Sequence, residues 1–197
     1  MRRHGLEPFA AGLEVRNGLD PAVAGLAAVA RPFAEGQVRQ MLSGQWLGHA
    51  LHPLLTDFPL GCWTSASLLD VLGGQQARPA SQRLVGLGVL ATLPTAAAGM
   101  SDWAHTDRRS QRVGVVHAAA NGAALGLYGA SYLARRRGRH ARGIALGMAG
   151  GVVSIVSGFL GGHLSLTAAV TRDNALMPSD TDEAPAADPE PHAPVSA

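Results

Sequence analysis

The chain has 197 residues, 47% of them hydrophobic and 15% charged, with 16 Lys+Arg against 14 Asp+Glu, a formal net charge of +2 and a pI near 9.3. A soluble domain carries about 25% charged residues. Here nearly all charges lie outside four apolar segments, which excludes an ordinary soluble globule and points to a membrane protein.

Every cation is Arg, and the Arg residues cluster in short stretches beside apolar segments. Membrane topology accounts for that pattern better than nucleic-acid binding does. The absence of Lys, with high Ala and Gly, is the residue usage of a GC-rich bacterial genome, so the expected location is a bacterial inner membrane. The single cysteine, Cys62, rules out an intramolecular disulfide and a thiolate cluster, and reads as a small buried apolar residue.

Residues 1–44 form a leader. It starts with Arg2 and Arg3 but lacks the continuous apolar run and small-residue cleavage site of a secretory signal. Asp20-Pro21 reads as an N-cap followed by proline at the first helical position. Val23, Leu26, Ala27, Ala30 and Phe33 recur at spacings of three and four, as on an amphipathic helix. A disordered leader fits the composition equally.

The core is expected over residues 45–168 as an all-α, four-helix transmembrane up-down bundle, with spans at about 54–72, 84–103, 113–134 and 143–166. Each has the roughly 20 residues needed to cross about 30 Å of hydrocarbon. Pro53 falls in the opening turn of the first span, where a helix tolerates it, and Gly73-Gly74 ends that span. Pro94 interrupts the second, where Thr92 or Thr95 could satisfy the carbonyl it frees. The polar connection His105 to Arg112 leads into the third span, and the basic turn RRRGRHAR, Arg135 to Arg142, leads into the fourth. Residues 169–197, rich in Pro, Ala and acids, read as a disordered acidic tail.

Helices in lipid associate through close approach at small residues and through interhelical hydrogen bonds. Gly143, Gly147 and Gly151, and separately Gly122 and Gly126, supply small-residue faces, within the chain or towards a second copy. The Arg bias favours the Arg135–Arg142 loop in the cytoplasm and both termini outside. Asp70, at the opposite end from the histidines, is expected to pair with an Arg of the cytoplasmic loops.

Because successive spans alternate in direction, His49, His52, Asp57, Asp102, His105, His117 and His163 should all fall at one membrane face. Ionisable groups at membrane depth are costly and usually face a bundle interior, so this set is the candidate site. The blandest reading is a structural polar network tying helix ends together. The alternative is a redox module. A b-type haem would take two histidines from different helices, among His52, His117 and His163. A transition metal would take three or more of the seven residues. No Ser/His/Asp order, phosphate loop or nucleotide fingerprint appears, so an enzyme has little support and no catalytic residue is assigned.

GHALHPLLTDFPLGCW, SDW from Ser101, the VGVVHAAAN run from Val113 and GGHLS from Gly161 resemble the bacterial membrane proteins known as domain of unknown function 2231, over roughly residues 42–166. That resemblance implies the four-span core and an unassigned molecular activity. Some members are fused to a Rieske iron–sulfur domain, which implies redox company. With one Cys and no Cys-x-His pair, this chain departs from those fusions, so an electron-transfer role would need a separate redox protein partner.

Overall fold

The computed structural model describes the backbone of residues 6–176 and the side chains of residues 6–166. Among the described residues every regular element is helical: α1 (Glu7–Glu14), α2 (Asp20–Ala34), α3 (Gly36–Ser43), α4 (Leu51–Leu72), α5 (Arg78–Trp103), α6 (Arg108–Arg136) and α7 (His140–Leu176). By internal contacts the chain divides into Met1–Leu164 and Ser165–Ala197. The first unit is described below. Of the second, the backbone is helical to Leu176, and the expected tail beyond it lies outside the described residues.

The long helices overrun the apolar segments that announce them. Backbone hydrogen bonding does not stop where hydropathy falls, and Arg, Gln and Ser continue a helix readily. α5 opens at Arg78 with Pro79 in its first turn, where the missing N–H costs nothing. α6 opens at Arg108 because Asp107 caps it, its carboxylate accepting from the backbone amides of Arg109 (2.8 Å) and Ser110 (3.1 Å). Gly74 (φ 59°) and Gly138 (φ 73°) close the two tight reversals in left-handed conformations that side chains resist.

Two stretches, Gln75–Trp103 and His140–Leu166, are long and apolar enough to cross a membrane by length and composition. α4 and α6, at 22 and 29 residues, also have the length a crossing needs. Their polar positions, His52, Asp57 and Asp70 in α4 and His117, Asn121 and the terminal Arg residues in α6, lower their mean hydropathy.

Cross-helix contacts set the packing. α5 runs antiparallel to α4, with Ser81 Oγ donating to Ala66 O at one end and Thr95 Oγ1 lying 3.1 Å from Leu55 O near the other. α7 runs antiparallel to α6, from Ser131 Oγ on Gly143 O to His117 on Ser157 O. α4 and α6 run in the same direction and meet through side chains, while α5 packs directly against both. Trp63 stacks on Tyr128 with ring centroids 3.9 Å apart, and Asp70 meets Arg135.

Proline shapes one seam directly. Pro59, inside α4, has no N–H for the carbonyl of Leu55. The Thr95 hydroxyl from α5 sits against that carbonyl while also 2.9 Å from Ala91 O of its own helix. Pro94 likewise frees Leu90 O, but the hydroxyls expected to serve it go elsewhere: Thr92 to Gly88 O, and Thr95 to Ala91 O and Leu55 O.

Polar side chains share the interior with apolar ones such as Trp63, Val85, Trp103, Val113, Tyr128 and Leu160, while large apolar side chains also cover the surface. Ser81, Thr95, Ser101, Ser131, Arg135 and Ser157 are buried, whereas Leu54, Phe58, Leu68, Leu90, Leu93, Val152 and Ile155 stand exposed. Gly143, Gly147 and Gly151 face α6, as does Gly150, while Gly122 and Gly126 have open space beside them among the described residues.

The N-terminal helices pack across the end where α4 and α6 begin. Ala10 and Leu13 of α1 are buried with Val113 and Leu160, and Val23 and Ala30 of α2 with Trp103. Of the expected stripe on α2, Val23, Leu26, Ala30 and Phe33 turn inward and Ala27 outward. Asp20 occupies the first position inside α2 rather than its cap, and its carboxylate is taken by Arg112.

Candidate polar site at the end of the long helices

His52 lies in the first turn of α4. Its Nδ1 is 2.9 Å from Thr95 O, and a carbonyl can only accept, so Nδ1 carries the proton. The ring lies over Gly99, where a Cβ would come within 2.7 Å of it. His117, two turns into α6, repeats the arrangement on α7. Nδ1–H donates to Ser157 O at 2.9 Å, and a Cβ at Gly161 would meet the ring at 3.0 Å. His117 Nε2 then accepts from Asn121 Nδ2 at 2.9 Å, which fixes the neutral Nδ1–H tautomer from both sides. The Ser157 hydroxyl completes the seam on His117 O at 3.3 Å.

His52 and His117 are electrostatic neighbours, and Asp102 near the end of α5 lies within electrostatic reach of His52, His105 and Arg39. Of the expected set, His52, Asp102, His117 and His163 are half-buried. His163 sits at the same end but is claimed by the N-terminal helices, with Nε2 2.8 Å from Glu14 Oε1. His105 is exposed and donates from Nδ1 to Ser101 O of its own helix at 2.9 Å. His49 is exposed ahead of α4, and Asp57 points outward among exposed Leu54 and Phe58. Among the described residues, no three His, Cys, Asp or Glu side chains group so as to hold a metal ion, so the seven residues do not form one polydentate centre. The physical reason is helical phase: Asp57, five residues after His52, is turned about 140° from it. Cys62 is buried and unpaired, away from these groups.

Two further polar clusters take roles that local sequence does not announce. Arg112, read from sequence as a loop cation, holds Asp20 with two bonds of 2.9 and 3.0 Å and donates a third to Glu14 O at 2.9 Å. The Arg112 hydrogen bond holds the Asp20 carboxyl below the usual carboxylate range, and Asp20 in turn raises the Arg112 guanidinium. Partial burial pushes Asp107 up, but the hydrogen bonds from Ser110 and Arg109 outweigh it and hold that carboxyl low. Spacing gives no hint of the Arg112 pair, because its partners lie more than ninety positions away.

At the other end Arg135 is a core residue of α6. Its side chain is 1% exposed and that of Asp70 5%, and the two are joined by bonds of 2.7 and 2.5 Å. Arg135 also donates to Ser81 Oγ at 2.9 Å and Ser131 Oγ at 3.2 Å. The expected Asp70–Arg partner is thus Arg135, buried within a helix, and it drops out of the loop charges counted for orientation.

The comparisons with known proteins bear on the class. No curated protein and no solved structure matches the chain. A family model described as a predicted membrane protein, DUF2231, matches residues 48–174, which includes all of α4, α5 and α6 and most of α7. That span is more than half of the chain, and the chain belongs to this family of predicted membrane proteins.

Proposed function

We propose that α4, α5, α6 and α7 each cross a bacterial inner membrane as a four-helix bundle, and that the protein acts as a membrane scaffold whose His/Asp end is a structural polar network. The observation that carries this reading is the apolar exterior of the long helices. Leu54, Phe58, Leu68, Leu90, Leu93, Val152 and Ile155 stand exposed, while serines, a threonine and an arginine lie buried among apolar core residues. In water such an apolar coat is an aggregation surface; in lipid it is the natural exterior, and small or polar residues hold the helices together. The turn carrying Arg136, Arg137, Arg139 and Arg142 faces the cytoplasm on this reading.

Membrane-impermeant maleimide labelling of intact spheroplasts tests it. In a Cys62→Ser background, Arg109→Cys should be labelled from outside and Arg139→Cys only after lysis. Labelling of both from one side would sink the four crossings.

One observation favours a second reading, a haem b or transition-metal redox module working with a separate electron-transfer partner of Rieske or other type. His52 and His117 each give Nδ1–H to a backbone carbonyl of the neighbouring helix, which is the orientation that metal-bound imidazoles adopt. A Soret band or one metal per purified chain, lost in His117→Ala, would support it. Colourless, metal-free preparations from cells supplied with haem and metals would reject it.

A further inference from the structure

The two helical hairpins α4–α5 and α6–α7 correspond position by position. At one constant offset along the first helices, His52 matches His117, Pro59 matches Ala124, Trp63 matches Tyr128, Ala66 matches Ser131 and Asp70 matches Arg135. At another along the second helices, Ser81 matches Gly143, Val85 matches Gly147, Gly88 matches Gly150, Thr95 matches Ser157, Ala98 matches Leu160 and Gly99 matches Gly161. From Pro59 and Ala124 onward the matched first-helix residues are buried except Asp70, whose side chain is nonetheless 5% exposed.

The contacts correspond as well. A histidine gives Nδ1–H to a Thr or Ser carbonyl and lies over the glycine four residues later, in both hairpins. An aromatic ring lies over Gly88 in one and over Gly150 in the other. A serine bonds a backbone carbonyl across the opposite end of each, Ser81 on Ala66 O and Ser131 on Gly143 O.

Matched residues also meet each other. Trp63 stacks on Tyr128 and Asp70 pairs with Arg135, which is how residues beside a two-fold axis behave. An approximate axis therefore runs between α4 and α6. It is closed from Pro59 and Ala124 onward, both buried. Towards the histidines it opens: Thr56, His52 and His117 are half-buried and Asn121 is exposed, although all four continue the same helical faces.

Resting on the second reading above, we infer that His52 and His117, the matched imidazoles at the open end of this axis, form one site for a transition-metal centre taking one Nε2 from each hairpin. Binding sites at the interface of repeated halves are a recurrent solution in membrane bundles. Each Nδ1 is already committed to a carbonyl, so only Nε2 remains to bind. On His117 its lone pair is held by an exposed amide, that of Asn121, which a metal can displace. The shared ligand chemistry is an imidazole-seeking transition metal, either as haem iron or as a bare ion.

Titration of the full-length detergent-solubilised protein with hemin, and separately with Ni²⁺, tests the site. One centre per chain is expected, with a low-spin bis-imidazole spectrum if the source is haem, and saturable Ni²⁺ binding without a haem spectrum if it is a bare ion. His52→Asn and His117→Asn keep an amide near the Nδ1 position and so preserve the bond to the carbonyl. Each should weaken binding at least tenfold while far-UV circular dichroism and gel-filtration behaviour stay unchanged. His105→Asn and His163→Asn should bind as the parent does. Binding that depends on His105 or His163, or on only one of the matched pair, overturns the axial site while leaving a redox module standing. Absence of binding in both titrations overturns both.

Discussion

At the scale of single residues, the Asp70–Arg135 pair shows how charge survives inside an apolar bundle. Two buried charges are tolerable only when paired and hydrogen-bonded, and Ser81 and Ser131 supply the extra bonds to the guanidinium. Arg135→Ala should therefore destabilise by about 3–5 kcal/mol, because it strands a buried carboxylate. Combining it with Asp70→Leu should recover most of the loss, since both partners then become apolar. Thermal unfolding in one detergent compares the three proteins. A single mutant as stable as the parent would show that the pair is not formed. The exposed counterpart behaves differently. Asp20 is held low chiefly by its hydrogen bond to Arg112, so its contribution is complete above the unfolded carboxyl pKa of about 3.9 and fades as pH falls through the depressed folded value. Pepsin should begin to cleave near α2 only in that acid window, and Asp20→Asn should remove the pH step.

At the scale of helices, the four long elements are held by backbone carbonyls that proline or geometry has left available. In the α4–α5 seam the Thr95 hydroxyl covers Leu55 O, which Pro59 cannot serve. Thr95→Val should cost about 0.6 kcal/mol, the average for interhelical hydrogen bonds in membranes, and no more than about 1.7. Adding Pro59→Ala should return part of it, because the introduced alanine would bring its own N–H to that carbonyl. No recovery in the double mutant would mean that the hydroxyl matters only to Ala91. The α6 cap offers a cleaner measurement. Asp107→Ala removes the acceptor for two amide donors and should cost about 1 kcal/mol in the same thermal assay.

At the scale of the whole molecule, the N-terminal helices close one end of the first unit. They bury Trp103, Val113 and Leu160 under α1 and α2 and tie Arg112 and His163 to Asp20 and Glu14. Deleting residues 1–35 should lower the unfolding temperature and shift Trp103 emission to the red, as its environment becomes wetter. Unchanged emission would show that these helices do not cover it. The same packing explains why His163 stands apart from His52 and His117: its Nε2 is spent on Glu14.

What could be read from residues alone follows from local rules. Apolar length announced long helices, and sparse charge with clustered Arg announced a membrane class that the family match supports. Pro53 and Gly74 mark element ends because first-turn proline and left-handed turns are decided within a few residues. Four apolar segments predict four spans, yet among the described residues two helical stretches are apolar enough to stand as spans by composition, since polar residues such as His52, Asp57 and Asp70 in α4 and His117 and Asn121 in α6 lower the hydropathy of the other two. Which polar groups meet was not local information. Asp57 and His52 are close in sequence and diverge by helical phase, whereas Arg112 and Asp20 are far apart and join. The correspondence between hairpins was written in the sequence throughout, but Trp for Tyr and Asp for Arg hide it until side-chain contacts reveal that those positions face each other. Sequence decides helices because their hydrogen bonds close within four residues. Only the tertiary structure decides pairings, because those depend on the rotation of each helix about its own axis.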